Sequence, residues 1–123
     1  MGGGRSMNVE LTRFKVKRGK SKQVDEWMNF LNEHMDEVLL TLVDEKMYVE
    51  TIFRETINDD EYLYWYSVQG KGGLEVEESE HWIDRKHLEY WDECIDSTFQ
   101  PIDLETEVVM IHPTIKKSME LIK

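Results

Sequence analysis

The sequence predicts an α+β domain in which a four-stranded antiparallel sheet carries two helices on one face. Three observations carry this expectation. Four segments are rich in β-branched and aromatic residues, two long segments place apolar residues at three- and four-residue steps, and the middle two strand segments are separated by only "NDD", a hairpin signal.

Each element follows in order. Residues 8–17, "NVELTRFKVK", are rich in β-formers and run into Gly19, a turn residue, which gives a first strand. Ser21 is suited to cap a helix. After it Val24, Trp27, Met28, Leu31, Met35, Val38, Leu39 and Leu42 form the apolar stripe of one long amphipathic helix. "MYVETIFRETI" at 47–57 and the aromatic segment at 61–69 make the hairpin, and "QGKGG" then breaks the chain. Ser79 is placed to cap a second helix over 80–96, with Ile83, Leu88, Trp91, Cys94 and Ile95 at helical spacing. "DLETEVVMIH" at 103–112 reads as a fourth strand, and Pro113 opens a short terminal helix. The order β-α-β-β-α-β is the ferredoxin-like split βαβ arrangement. One domain over 7–112 is expected, preceded by "MGGGRS" (1–6) as an expression remnant or disordered tail and followed by a short helix or tail over 113–123.

The chain has 123 residues, 40% hydrophobic and 33% charged, with no apolar run for a membrane span. Its net charge of −11 repels nucleic acid and anionic membrane surfaces, so neither is expected as a partner. Cys94 is the single cysteine. It excludes a disulfide framework and a Cys-based zinc site, reads as a small buried hydrophobe, and fits a reducing cytoplasm.

The segment "DEYLYWYSVQG" puts Tyr62, Tyr64 and Tyr66 on one side of a strand and Leu63 and Trp65 on the other, so both faces need cover. Strict alternation in the hairpin gives Met47, Val49, Phe53, Leu63 and Trp65 to the helix side. It leaves Tyr48, Glu50, Ile52, Arg54, Tyr62, Tyr64, Tyr66 and Val68 on the bare side. RNA is a poor cover, because "EYLYWYSV" holds no Lys, Arg or Gly. The tail after Pro113 is too short to hide four strands, which leaves a second copy of the sheet, with the tail as an accessory.

The pattern "YVETIFRE…DDEYLYWYSVQG…SEHWIDRKHLEYWDECI" resembles the dimeric α+β barrel superfamily over residues 7–112. That superfamily includes antibiotic-biosynthesis-monooxygenase-like proteins, and the pattern is most similar to a bacterial branch without assigned activity. The resemblance implies a homodimer with a cavity between each sheet and its helices or partner. Some such proteins are cofactor-free oxygenases, others degrade haem or bind ligands.

Chemistry concentrates in "SEHWIDRKHLEYW", where His81, Asp84 and His87 recur at three-residue steps. Asp84 can orient His87, and His87 can lie against Trp91, which makes His87 a candidate general base. The structural alternative has His81 exposed in the first turn, Asp84 favouring the helix N-terminus and His87 packed. No metal site is expected, because metal-binding histidines on a helix sit four apart rather than six. "QGKGG" lacks the spacing of a phosphate loop, and no cofactor is implied. Glu50 and Arg54 share a strand face and form either an internal ion pair or a polar anchor for a ligand. Tyr62 and Tyr64 then serve as hydrogen-bond donors and Trp91 as a wall for a small aromatic ligand. Two functions of different class stay open: a cofactor-independent monooxygenase acting on an aromatic substrate, with His87 and Asp84 catalytic, and a non-catalytic ligand-binding, structural or regulatory dimer.

Overall fold

The computed structural model describes residues 7–122; the expected tail over 1–6 lies outside them. The elements are β1 (Met7–Lys15), α1 (Ser21–Glu33), α2 (Met35–Glu45), β2 (Met47–Ile57), β3 (Asp60–Gly70), α3 (Trp82–Cys94), β4 (Ile102–Asp103) and α4 (Pro113–Leu121), with a 3₁₀ turn at Val76–Glu78. The sheet order is β2-β3-β1-β4 and all pairings are antiparallel. This is the ferredoxin-like arrangement, with β1 and β3 in the middle. The β2–β3 hairpin turns through Asn58 and Asp59, both left-handed at φ 51° and 68°, the two-residue turn whose twist matches that of its strands.

The core lies between the central strands and the pair α1/α3. Val16, Val24, Trp27, Leu63, Cys94 and Ile95 form it, with Phe14, Trp65 and Trp91 packed around them. Cys94 is buried there, and burial pushes its thiol up to about 11. Helix α1 begins at Ser21 itself rather than being capped by it. The Ser21 hydroxyl instead accepts from the Arg54 guanidinium at 3.0 Å. Helix α3 is capped by His81, whose Nδ1 accepts from the Ile83 amide at 3.2 Å, while Ser79 accepts from the His81 amide.

Three differences from the sequence expectation bear on the site. The long helix is two helices, broken at His34 (φ −108°, ψ 31°). The His34 ring packs edge-on against Phe30 and Trp82, and Trp82 donates to Glu37 at 2.6 Å, which fixes the start of α2. The apolar stripe runs through the break unchanged, so periodicity does not report it; the acidic pair Asp36 and Glu37 in the first turn of α2 does.

The second difference is a phase reversal in β2. Met47 pairs with Gln69 and Val49 with Val68, so Tyr48 is an extra, bulged residue. Beyond it, Glu50, Ile52 and Arg54 stand opposite Ser67, Trp65 and Leu63 on the helix side, while Thr51, Phe53 and Glu55 share the face of Tyr66, Tyr64 and Tyr62. The β2 assignment is therefore corrected: Glu50, Ile52 and Arg54 leave the bare face and Val49 and Phe53 join it, because one inserted residue inverts every later side chain.

Third, the expected strand over 103–112 pairs only at Ile102–Asp103. The chain follows β1 a little further, through Leu104 amide to Leu11 carbonyl (2.9 Å) and Thr106 hydroxyl to Val9 carbonyl (3.0 Å). It then runs exposed past Val108 (70% exposed) and Met110 (87%) into α4, none of whose residues is buried. The tail does not cover the sheet.

Candidate functional site

Helix α2 packs less closely than α1, and Leu39, Leu40 and Val43 on it remain exposed. Between α2, α3 and the sheet lies a cavity of about 720 Å³. Its floor includes Phe14, Glu50, Ile52, Trp65 and Ser67 from the strands, and its walls include Met35, Leu42 and Glu45 of α2 and Asp84, His87 and Trp91 of α3. Phe14, Trp65 and Trp91 form one aromatic cluster, with ring centroids 4.7 Å apart for Phe14–Trp91 and 5.2 Å for Trp65–Trp91. The acidic residues lining the cavity are Glu10, Glu45, Glu50, Glu77, Asp84 and Asp92, and none of the described lining residues is Lys or Arg.

His87 stands on the cavity wall against Trp27, Trp65 and Trp91. The Trp27 indole N–H donates to its Nδ1 at 3.0 Å. A ring that accepts at Nδ1 carries its proton on Nε2, and no partner for Nε2 occurs among the described residues. Burial drives the imidazole down to about 4, against the opposing pull of Asp84 and Glu77, so it is neutral at neutral pH. The ring is thus oriented by Trp27 rather than by Asp84. Trp27 is the site residue that sequence reasoning missed, since it sat in the apolar stripe of the first helix. Its signal was chemical: an indole N–H in a buried stripe needs an acceptor.

Asp84 is 6% exposed and its Oδ2 is enclosed without a hydrogen-bond partner. Glu50 accepts from the Trp65 indole at 2.6 Å. Desolvation raises the Glu50 carboxyl, the Trp65 bond opposes this, and Asp84 adds to the rise. Glu45, 8% exposed, is pushed up to about 8 by burial first and then by Asp84, Glu50 and other nearby carboxylates.

Of the residues singled out from sequence, Glu50, Asp84, His87 and Trp91 meet in this cavity. Arg54, Tyr62 and Tyr64 do not. Arg54 is at the sheet edge, held by Glu61 (2.9 Å), Asp25 (2.6 Å) and Ser21, so its ion-pair partners are these and not Glu50. Tyr64 lies on the opposite face and donates to Glu55 at 2.5 Å, while Tyr62 packs under the Arg13 guanidinium at 4.9 Å. The "QGKGG" loop closes on the end of α2: the Leu74 amide donates to the Asp44 carbonyl at 2.9 Å, and a side chain at Gly73 would collide with the Glu45 carbonyl. Among the described residues no three of His, Cys, Asp and Glu are grouped to hold a metal ion, and no helix is long and apolar enough to cross a membrane.

A family model matches residues 7–117. The chain belongs to DUF6176, a family of unknown function. The match takes in every cavity residue named above and the exposed segment 104–112, and it ends inside α4, so that extended segment is part of the DUF6176 region. Searches of curated proteins and of solved structures give no match.

Proposed function

We propose that this DUF6176 protein is a homodimeric α+β barrel that binds a small organic molecule in the cavity between its sheet and its helices. The cavity itself carries the reading: about 720 Å³ of space with aromatic walls and a few convergent polar groups, the usual character of a small-molecule site. A second copy is favoured by two surfaces. One is the tyrosine face, where Phe53 is 56% exposed beside Leu11, Tyr64 and Tyr66; the other is the segment bearing Val108, Val109 and Met110, which leaves its own domain uncovered. A cytoplasmic setting suits the reduced, buried Cys94.

His87 in this reading presents Nε2–H to the bound molecule as a neutral hydrogen-bond donor. A second reading, in the manner of antibiotic-biosynthesis-monooxygenase-like proteins, makes the same histidine the base of a cofactor-independent oxygenase. It would deprotonate a phenolic substrate, whose carbanion then reduces dioxygen directly. The observation in its favour is a neutral, desolvated imidazole on an aromatic wall. Against it, the only lone pair of that ring faces the Trp27 N–H, so proton uptake requires the bond to Trp27 to break.

The test is a thermal-shift screen with phenols, quinones, aromatic acids and amines on the parent protein and on Ser67→Trp, which fills the cavity floor. Ligands that stabilise the parent and not the variant support the cavity. If none stabilises the parent, or the variant responds equally, the reading fails. Oxygen uptake with a hydroquinone hit separates oxygenase from binder.

A further inference from the structure

We propose that the cavity selects an organic cation, a protonated amine with an aromatic or aliphatic body, whose ammonium group pairs with Asp84. The inference rests on the cavity being a ligand site and names the class of ligand it takes.

Four observations carry it. Six acidic residues line the space and none of the described lining residues is basic. Asp84 is nine-tenths buried at that wall, and its Oδ2 has no hydrogen-bond partner. A buried carboxylate without a counter-ion is costly, so chains normally supply one. Here the ion-paired cations are engaged elsewhere: Lys15 and Arg18 with Asp60, Lys20 with Glu93, Arg54 with Asp25 and Glu61, and Lys86 with Glu89, while Lys17 donates to the Asp92 backbone carbonyl at 2.9 Å. Asp84 acts electrostatically on Glu45 of α2, Glu50 of β2 and His87 of its own helix, and none of these three is a cation at neutral pH.

The walls complete the selection. Phe14, Trp65 and Trp91 line the space with aromatic rings, whose quadrupoles attract a cation most strongly when water is excluded. An anionic ligand would meet only like charge. A neutral one of the same shape would gain the walls and leave Asp84 unpaired.

Three probes of one shape decide the matter: 2-phenylethylamine, 2-phenylethanol and phenylacetate, titrated into the full chain and followed by the indole N–H signals in ¹⁵N NMR. The Trp65 signal reports the cavity, because its N–H donates to Glu50 on the floor; Trp82, outside the cavity, is the internal reference. The expected result is a saturable shift of Trp65 with the amine, binding at least tenfold weaker for the alcohol, and none for the acid. Asp84→Asn should cut amine binding at least tenfold and leave the alcohol unchanged. Alcohol or acid binding as tightly as the amine overturns the cation assignment while the cavity reading survives. Silence at Trp65 from all three also overturns it, and the cavity reading then stands or falls on the wider screen with Ser67→Trp. Amine binding that Asp84→Asn leaves intact overturns the role of Asp84. If that variant does not fold, the ranking of the three probes on the parent protein decides alone.

Discussion

Replacing Glu45 by glutamine keeps the shape of the side chain and removes the carboxyl that burial pushes up to about 8. A raised carboxyl binds its proton more tightly in the folded chain than in the unfolded one. Its contribution to stability is therefore complete below the ordinary 4.5 and is lost as pH climbs towards about 8. His87 has the opposite sign: lowered from 6.5 to about 4, it contributes stability above 6.5 that is lost as pH falls towards 4. Between 4.5 and 6.5 the folded chain holds a proton on Glu45 and the unfolded chain holds one on His87, so the two slopes offset. From 6.5 to 8 Glu45 leads the difference, with Glu50, also raised by burial, acting in the same direction, and Glu45 alone should cost the parent protein ~1 kcal/mol at ~1.36 kcal/mol per pH unit, after allowing for residual histidine titration. The gap from 4.5 to about 8 sets a ceiling of ~5 kcal/mol for ionised Glu45. Water in the open cavity lowers this, so Glu45→Gln should stabilise by about 1–3 kcal/mol at pH 8 and by less at pH 6.5. Urea unfolding followed by tryptophan fluorescence reads both: with a slope of roughly 2 kcal/mol/M, the parent midpoint should fall by about 0.5 M across that window and the variant midpoint should fall less. A variant that loses stability with pH as steeply as the parent would refute the assignment of the slope to Glu45.

Three further outcomes are expected. His87→Ala strands the Trp27 N–H and opens space beside it, and should cost about 2–4 kcal/mol in urea, whereas His87→Gln, which restores an acceptor, should recover part of that. Tyr64→Asp on the bare face, or Met110→Glu on the exposed segment, should turn a dimer into a species of one-chain mass by light scattering with circular dichroism unchanged; a fully dimeric double variant would remove both surfaces from the interface. Cys94 should resist a thiol reagent at pH 8 in the folded protein and react within the dead time of mixing in urea, since its thiol is buried and pushed up to about 11.

The order of elements was legible because each signal is local: turn residues at Gly19 and "NDD", helical spacing from Val24 onward, proline at the start of α4. The aromatic strand was legible too, since its period of two survives unbroken from Tyr62 to Val68 and places Leu63 and Trp65 on the helix side. What failed was long-range. The pairing of 104–112 depends on how far β1 accompanies it, which no residue within that segment reports. The break at His34 depends on Phe30 and Trp82, the latter 48 positions further along the chain.

The bulge at Tyr48 has the largest consequence for function, because phase decides which charges face the cavity. With strict alternation, Glu50 and Arg54 lie together on the bare face beside Tyr62 and Tyr64, a setting that suits an anionic group on a planar ligand. One extra residue turns both towards the helices, and there their fates diverge. Glu50 reaches the cavity floor under Trp65, whereas Arg54, four residues nearer the hairpin, meets Asp25 and Glu61 at the edge and is neutralised outside. The cavity thus keeps the carboxylate and loses the guanidinium. Deleting Tyr48 removes the extra residue and keeps the phase: Met47 stays opposite Gln69, Val49 opposite Val68 and Glu50 opposite Ser67, so Glu50 should remain on the helix side under Trp65. A Tyr48 deletion that folds should therefore keep the Trp65 indole N–H signal of the parent in ¹⁵N NMR, and a Trp65 N–H freed of its bond to Glu50 would mean that β2 had slipped by one residue against β3 and refute the assignment of the phase to the single residue Tyr48.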